Sequence, residues 1–186
     1  MRIIGGRARG IKLEAGNQEA VRPTTDRIKE TVFNIIGDVQ DTVVVDFFAG
    51  SGALGLEALS RGAAKVYFIE NDAKTCRVIK ENLAKVKKSM GNAGEAVVLT
   101  CDYKQAVHRI SEPIDLILAD PPYADNCILA DKLLKDENIA QMADEQTLLI
   151  LEHLTHFELP QETPWNKFRR KDFGLTAYTF WELKEA

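Results

Sequence analysis

The 186-residue chain has little of several things, and each shortage removes a class of protein. Three cysteines, Cys76, Cys101 and Cys127, are widely spaced and odd in number. Neither a disulfide framework nor a Cys-x-x-Cys metal site is therefore available, and a reducing cytoplasmic compartment is expected. Six prolines and 12 glycines are too few for a collagenous or low-complexity chain. No apolar run approaches the ~18 residues of a membrane span, and the N-terminus MRIIGGRARGIKLEA lacks the apolar stretch of a signal peptide. Among three histidines only His153 and His156 are close. Three apart at a strand end they point differently, with no further ligand at suitable spacing, so no metal is expected. What remains, 45% hydrophobic and 28% charged residues, is the profile of one globular domain over 1–186 that buries its core without staples.

The net charge of -4 speaks weakly against nucleic acid, but it is a sum over two unlike parts. Through Lys29 the chain carries seven Lys and Arg against three Asp and Glu, 7 minus 3 or +4; the remainder, 17 minus 25, is -8. A basic arm (1–21) thus precedes an acidic body (22–186). Composition alone leaves open whether the arm is a solvated loop or an attractor for a polyanion.

The arm reads as two short strands, Arg2 to Ile4 and Ile11 to Glu14, around a flexible glycine-rich loop. Beyond Pro23, a helix capped by Thr24 or Thr25 places Ile28, Val32, Ile35 and Ile36 at helical spacing and stops at Gly37. The β-branched and aromatic run from Val43 to Phe48 is expected for a central parallel strand buried on both faces. Helices and strands then alternate: strands at 65–69, 96–100, 114–119 and 147–151, helices after the Gly50 to Gly55 loop and at 73–86, 103–110 and 125–134. Residues 167–172 and 176–183 surround Gly174 with no helix between, a terminal antiparallel pair. The pattern predicts a doubly wound α/β, Rossmann-like sheet that binds ligands at the carboxyl ends of its strands.

Four features fall at consecutive strand ends. Asp46 precedes Gly50-Ser-Gly52-Ala-Leu-Gly55, which satisfies the dinucleotide pattern G-x-G-x-x-G, and Glu70 stands where an acidic residue bonds ribose hydroxyls. Asp46 opposes a dinucleotide, because its carboxylate would face the pyrophosphate such a loop cradles. S-adenosylmethionine, with a ribose, two cationic groups and no phosphate, suits the pair better. Asp102, after the third strand, is read equally as an acceptor for an adenine amino group or as the N-cap of the next helix. Last, Asp120-Pro121-Pro122-Tyr123 sets a carboxylate, carbonyls with no competing proline N–H and an aromatic ring together. An exocyclic amine of a base is a poor nucleophile because its lone pair is delocalised. Acceptors on its N–H groups, with the ring stacked on Tyr123, would localise that pair and aim it at a methyl group, and Asp120 or water would take the proton.

These residues, with Arg22-Pro-Thr-Thr-Asp-Arg27-x-Lys-Glu-x-x-Phe33-Asn34 and Asp46-x-Phe-Ala-Gly-Ser-Gly-Ala-Leu-Gly-Leu-Glu-Ala-Leu-Ser-Arg61, resemble the bacterial RsmD family over nearly the whole chain. The resemblance implies a seven-stranded methyltransferase sheet with a reversed terminal hairpin. It also implies transfer of methyl from S-adenosylmethionine to N2 of one guanine in 16S ribosomal RNA, free or in the small subunit. Implied cofactor contacts are Asp46, Gly50, Gly52, Glu70 and Asp102, with Thr25 and Arg27 as candidates at the methionine end; the implied catalytic loop is Asp120 to Tyr123. Arg2, Arg7, Arg9, Lys12, Arg22, Lys167, Arg169 and Arg170 are expected to meet RNA phosphates. The rival readings are an amino-nitrogen methyltransferase on DNA adenine or protein, an NAD oxidoreductase, and a non-catalytic RNA-binding module.

Overall fold

In a computed structural model, residues 1–15, 26–122 and 125–184 are described. The elements are α1 (Asp26–Ile36), β1 (Val43–Phe47), α2 (Ala53–Ser60), β2 (Lys65–Glu70), α3 (Ala73–Met90), β3 (Glu95–Thr100), α4 (Tyr103–Ala106), β4 (Leu116–Ala119), α5 (Asn126–Lys135), α6 (Glu137–Gln141), β5 (Leu148–Leu154), β6 (Trp165–Phe173) and β7 (Thr176–Leu183). Seven strands form one sheet in the order β3-β2-β1-β4-β5-β7-β6. The first five are parallel, and β7 runs antiparallel to both β5 and β6. This is the α/β class and reversed terminal hairpin expected from the alternation of runs.

From β1 the chain winds outward through β2 to β3, then returns to lay β4 against the other side of β1, Asp46 opposite Leu118. Crossovers from β1 therefore leave in opposite directions, which opens a crevice at the carboxyl ends of β1 and β4. Alternating side chains feed two cores. Val44, Val66, Leu118, Ile150 and Tyr178 pack in the layer with α1, α2 and α3, and Val45, Tyr67, Ile117, Leu149 and Trp181 in the layer with α4 and α5.

Several boundaries differ from expectation. α3 runs four residues past Val86, because Met90 is buried and the Arg7 guanidinium bonds the Met90 carbonyl at 2.7 Å, supporting a last turn whose sequence is otherwise lysine-rich. α4 is a single turn rather than a helix to Ile110. β4 begins at Leu116, after Asp115 is drawn aside to accept the Val43 N–H at 2.7 Å. α6 is an addition to the expected elements; Asp136 caps it by accepting the Asn138 N–H at 3.0 Å. β5 continues to Leu154, paired by β7, so His153 lies within a strand.

The N-terminal arm is corrected most. Its two strands reduce to one bridge, Arg2 to Lys12, and the segment is not a flexible loop. Ile3, Ala8 and Leu13 are buried in the first core. Glu57, fully buried in α2, accepts the Ile4 and Gly5 N–H groups at 2.8 and 2.7 Å, and the Ser60 hydroxyl accepts the Ala8 N–H at 2.9 Å. A Cβ on Gly6 would stand 1.9 Å from the Ser60 carbonyl oxygen, so only glycine permits this docking.

Candidate active site

The carboxyl ends of β1, β2 and β4 and the loops after them wall a cavity of about 600 Å³, within the range of small-ligand sites. It is built outward from Asp46. This side chain is 2% exposed, and its Oδ2 accepts the Gly55 N–H at 2.8 Å. The N-cap position of α2 belongs to Gly52, in the left-handed conformation at φ 80° and without a side chain to cap with. Asp46 reaches over from β1 and supplies the missing acceptor. Burial pushes its pKa up to about 8, the Gly55 N–H opposing this and the charge of Glu70 adding to it. Gly55 is required for the approach: a Cβ there would lie 2.5 Å from the Phe68 ring and 2.9 Å from Asp46 Oδ2. Phe48, at φ 60°, accepts a left-handed backbone that costs a bulky residue about 1–2 kcal/mol, and its ring packs on Tyr103 with centroids 5.5 Å apart.

Glu70 closes the glycine loop from the second strand. Its Oε2 accepts the Gly50 N–H and its Oε1 the Asp72 N–H, each at 3.0 Å. The loop's Gly50 and Gly55 N–H groups thus point at carboxylates, where a dinucleotide-binding loop would aim them at pyrophosphate. Asp102 is the N-cap of α4, accepting the Gln105 N–H at 2.9 Å, and it also lines the cavity.

On the opposite wall, Asp120 is half-buried, Pro121 buried and Pro122 exposed, and all three line the cavity. The Pro122 carbonyl accepts the Asp125 N–H at 3.1 Å in a turn. Beyond them stand Glu152 on β5 and Thr176 on β7, neither singled out from the sequence. In the sequence Glu152 follows the apolar run Leu148 to Leu151, and β5 continues through it to Leu154. Ile28 is the described α1 residue on the wall; Arg27 is exposed and not part of it. Thr25, Arg22 and Tyr123 lie outside the described residues.

Every charged side chain among the described lining residues is a carboxylate: Asp46, Glu70, Asp72, Asp102, Asp120, Asp125 and Glu152. No Lys, Arg or His lines the cavity among them. Such a lining repels phosphate and suits a ligand carrying positive charge and hydrogen-bond donors, which S-adenosylmethionine does.

The basic residues divide. Arg2 pairs with Asp26 at 2.8 Å, and Arg7 donates to the Met90 and Asn92 carbonyls at 2.7 and 2.8 Å, so Arg7 anchors the arm to α3. Arg170 pairs with Asp172 at 2.8 Å and donates to the Thr155 carbonyl. Arg9, Lys12, Lys167 and Arg169 are exposed. His153 is buried, with Nδ1 at 2.8 Å from the Leu154 carbonyl, and no cluster of three metal-type ligands occurs among the described residues. No helix among them is long and apolar enough to cross a membrane.

A family model described as conserved hypothetical protein 95 matches residues 1–182. The chain is 37% identical over 184 residues to the ribosomal RNA small subunit methyltransferase D of Escherichia coli K12, covering 98% of this chain and 89% of that protein. It is 36% identical over 187 residues to the protein of the same name from Haemophilus influenzae, covering 98% and 93%. A solved structure from Thermus thermophilus, described as a hypothetical protein, superposes with a TM-score of 0.79 at 28% identity, covering 98% of this chain and 99% of that one. An RNA methyltransferase from Salinibacter ruber, solved with S-adenosyl-L-homocysteine, shares the fold, with a TM-score of 0.67 at 18% identity, covering 89% and 95%.

Proposed function

The chain belongs to the RsmD family, whose model spans nearly all of it, and from that premise we propose that it transfers a methyl group from S-adenosyl-L-methionine to N2 of a guanine in 16S rRNA of the small ribosomal subunit. The observation that carries the reading is a cavity whose charged side chains, among the described lining residues, are all carboxylates, with the Asp120-Pro121-Pro122 loop forming one of its walls. The names of the Escherichia coli and Haemophilus influenzae relatives support ribosomal RNA as the substrate and the cytoplasm as the compartment.

When bound, the cofactor supplies an electrophilic methyl group on a sulfonium and departs as a neutral thioether. Glu70 suits the ribose hydroxyls as an acceptor, Asp102 the adenine amino group, and Asp46, whose ionised form a cationic ligand favours, stands beside Gly50 and Gly52. Thr25 remains a candidate for the methionine end. Asp120 and the Pro121 carbonyl accept the two N2–H groups of guanine, which draws the nitrogen lone pair out of conjugation and orients it. As the new C–N bond forms, N2 becomes cationic and one of its protons passes to Asp120 or to water. The Tyr123 ring serves as a stacking platform. The base must leave its stack to reach this wall, which is cheapest in a single-stranded loop, and Arg9, Lys12, Lys167 and Arg169 offer phosphate contacts.

The test is incubation with labelled cofactor and hypomethylated small subunits, naked 16S rRNA or DNA, followed by mass spectrometry of nucleosides. N2-methylguanosine from small-subunit RNA is expected. N6-methyladenine as the sole product, or no product alongside tight NAD binding, overturns the reading. Asp120→Ala is expected to keep cofactor affinity and lose at least about 100-fold in transfer; lost cofactor affinity would mean the loop is misassigned.

A further inference from the structure

We propose that Glu152 selects the target base by accepting the N1–H of guanine beside Asp120, an inference that rests on the proposed transfer to guanine N2. Three neighbouring strands bring the parts together. β4 and β5 are parallel with Ala119 opposite Leu151, so the next residues along, Asp120 and Glu152, stand side by side. β5 and β7 place Glu152 opposite Tyr178. Leu118, Ile150 and Tyr178 all face the same core layer, and side-chain alternation puts Asp120 and Glu152 on that face as well. Both line the same cavity. Adjacent strands ~4.8 Å apart set two carboxylates within the span of one purine.

Glu152 is also held in position. Its Oε2 accepts a hydrogen bond from the Tyr178 hydroxyl. The Tyr178 ring is 1% exposed and meets Phe173 edge-on at 5.9 Å, so the phenol is fixed by packing.

The chemistry distinguishes bases. Guanine presents adjacent donors, N1–H and the N2 amine. In adenine the ring nitrogen beside the exocyclic amine is an acceptor, and so is N3 of cytosine; either would set a lone pair against a carboxylate. Uracil has an N3–H but no exocyclic amine. Two carboxylates side by side, one for the amine and one for the ring N–H, therefore match guanine and reject the other three. Buried polar groups left unpaired by a wrong substrate are an effective source of such discrimination.

The test compares guanine with 2-aminopurine, which keeps the exocyclic amine but has no N1–H. Wild-type protein is first given native small-subunit RNA and the product nucleoside identified. A product other than N2-methylguanosine removes the functional reading and this inference with it. With N2-methylguanosine established and its position mapped, subunits are reconstituted with either base at that position. The wild type is expected to prefer guanine by about 10- to 100-fold in kcat/KM, the effect of one hydrogen bond to a charged group. Glu152→Gln, whose amide can donate to the bare N1 of 2-aminopurine, is expected to bring that ratio near or below one while cofactor affinity, read by calorimetry, stays unchanged. Equal losses on both bases, with the ratio preserved, would assign Glu152 a structural role and overturn the inference. So would a wild type that does not prefer guanine, a result independent of whether any variant folds.

Discussion

Lys29 and Glu57, both fully buried, meet at 3.3 Å, and Glu57 takes three further hydrogen bonds around that contact, from the Ile4 and Gly5 N–H groups and from Arg61. Lys29 in turn donates to the Arg2 carbonyl at 2.6 Å. Burial pushes the Lys29 pKa down, with the Glu57 charge opposing. The N-terminal segment is thereby pinned to α1 and α2 through one carboxylate.

Removing that carboxylate strands several partners at once. Glu57→Ala is expected to cost about 3–5 kcal/mol, or a fall of about 6–20 °C in melting temperature for a chain of this size. Lys29→Met should cost less than half as much, since Glu57 keeps Arg61 and both backbone donors. Thermal unfolding of the two variants checks this, and equal losses would contradict it.

Gly55→Ala tests the packing beneath the cofactor loop. Inside a helix this exchange ordinarily stabilises by up to about 1 kcal/mol. Here the new methyl would meet Phe68 at 2.5 Å and both Asp46 and Val66 at 2.9 Å. The expected sign is reversed, a loss of about 1–3 kcal/mol, accompanied by weaker cofactor binding as Asp46 is displaced. Urea unfolding and calorimetry read the two effects separately.

Asp46 predicts a pH dependence. Its folded pKa, about 8, is raised above the ordinary carboxyl value of 3.8. The stabilisation it contributes is complete below pH ~4 and is lost as pH rises through about 8. Asp46→Asn, which can still accept the Gly55 N–H, should flatten that decline in unfolding curves. A cationic ligand favours the ionised carboxylate, so S-adenosylmethionine affinity should rise between pH ~6 and ~8, by at most about tenfold per unit, with proton release. Calorimetry in buffers of different ionisation enthalpy measures both quantities, and a flat wild-type profile would refute the assignment.

The two basic clusters separate by salt dependence. Arg169→Ala should reduce the slope of log affinity for RNA against log salt by about one while leaving stability within about 0.5 kcal/mol. Arg7→Ala should lower stability and leave the slope unchanged, because that guanidinium is committed to the Met90 and Asn92 carbonyls. A change of slope with Arg7→Ala would mean that the arm rearranges onto RNA.

The order of the sheet strands and main helices could be read directly, because a run such as Val43 to Phe47 has the pattern of a doubly buried strand and Gly37, Gly62 and Gly91 punctuate the helices with positive φ. The strand-end carboxylates Asp46, Glu70, Asp102 and Asp120 were legible for the same reason, since polar residues closing apolar runs fall at one edge of a parallel sheet. Glu152 lacks that mark, because β5 continues through it to Leu154 in pairing with β7.

What the sequence by itself determined is therefore the class of fold, the edge of the sheet where chemistry gathers, and the split between basic arm and acidic body. Only the tertiary structure decided what individual charges do. Arg7 looks like an RNA contact in a linear reading and Lys29 adds to the charge of the basic segment, yet one caps a helix and the other is buried on a carboxylate from α2. The physical reason is that local patterns encode periodicity and turn chemistry, whereas a charge takes its role from the partner that desolvates it, and that partner is often 28 or more residues away along the chain.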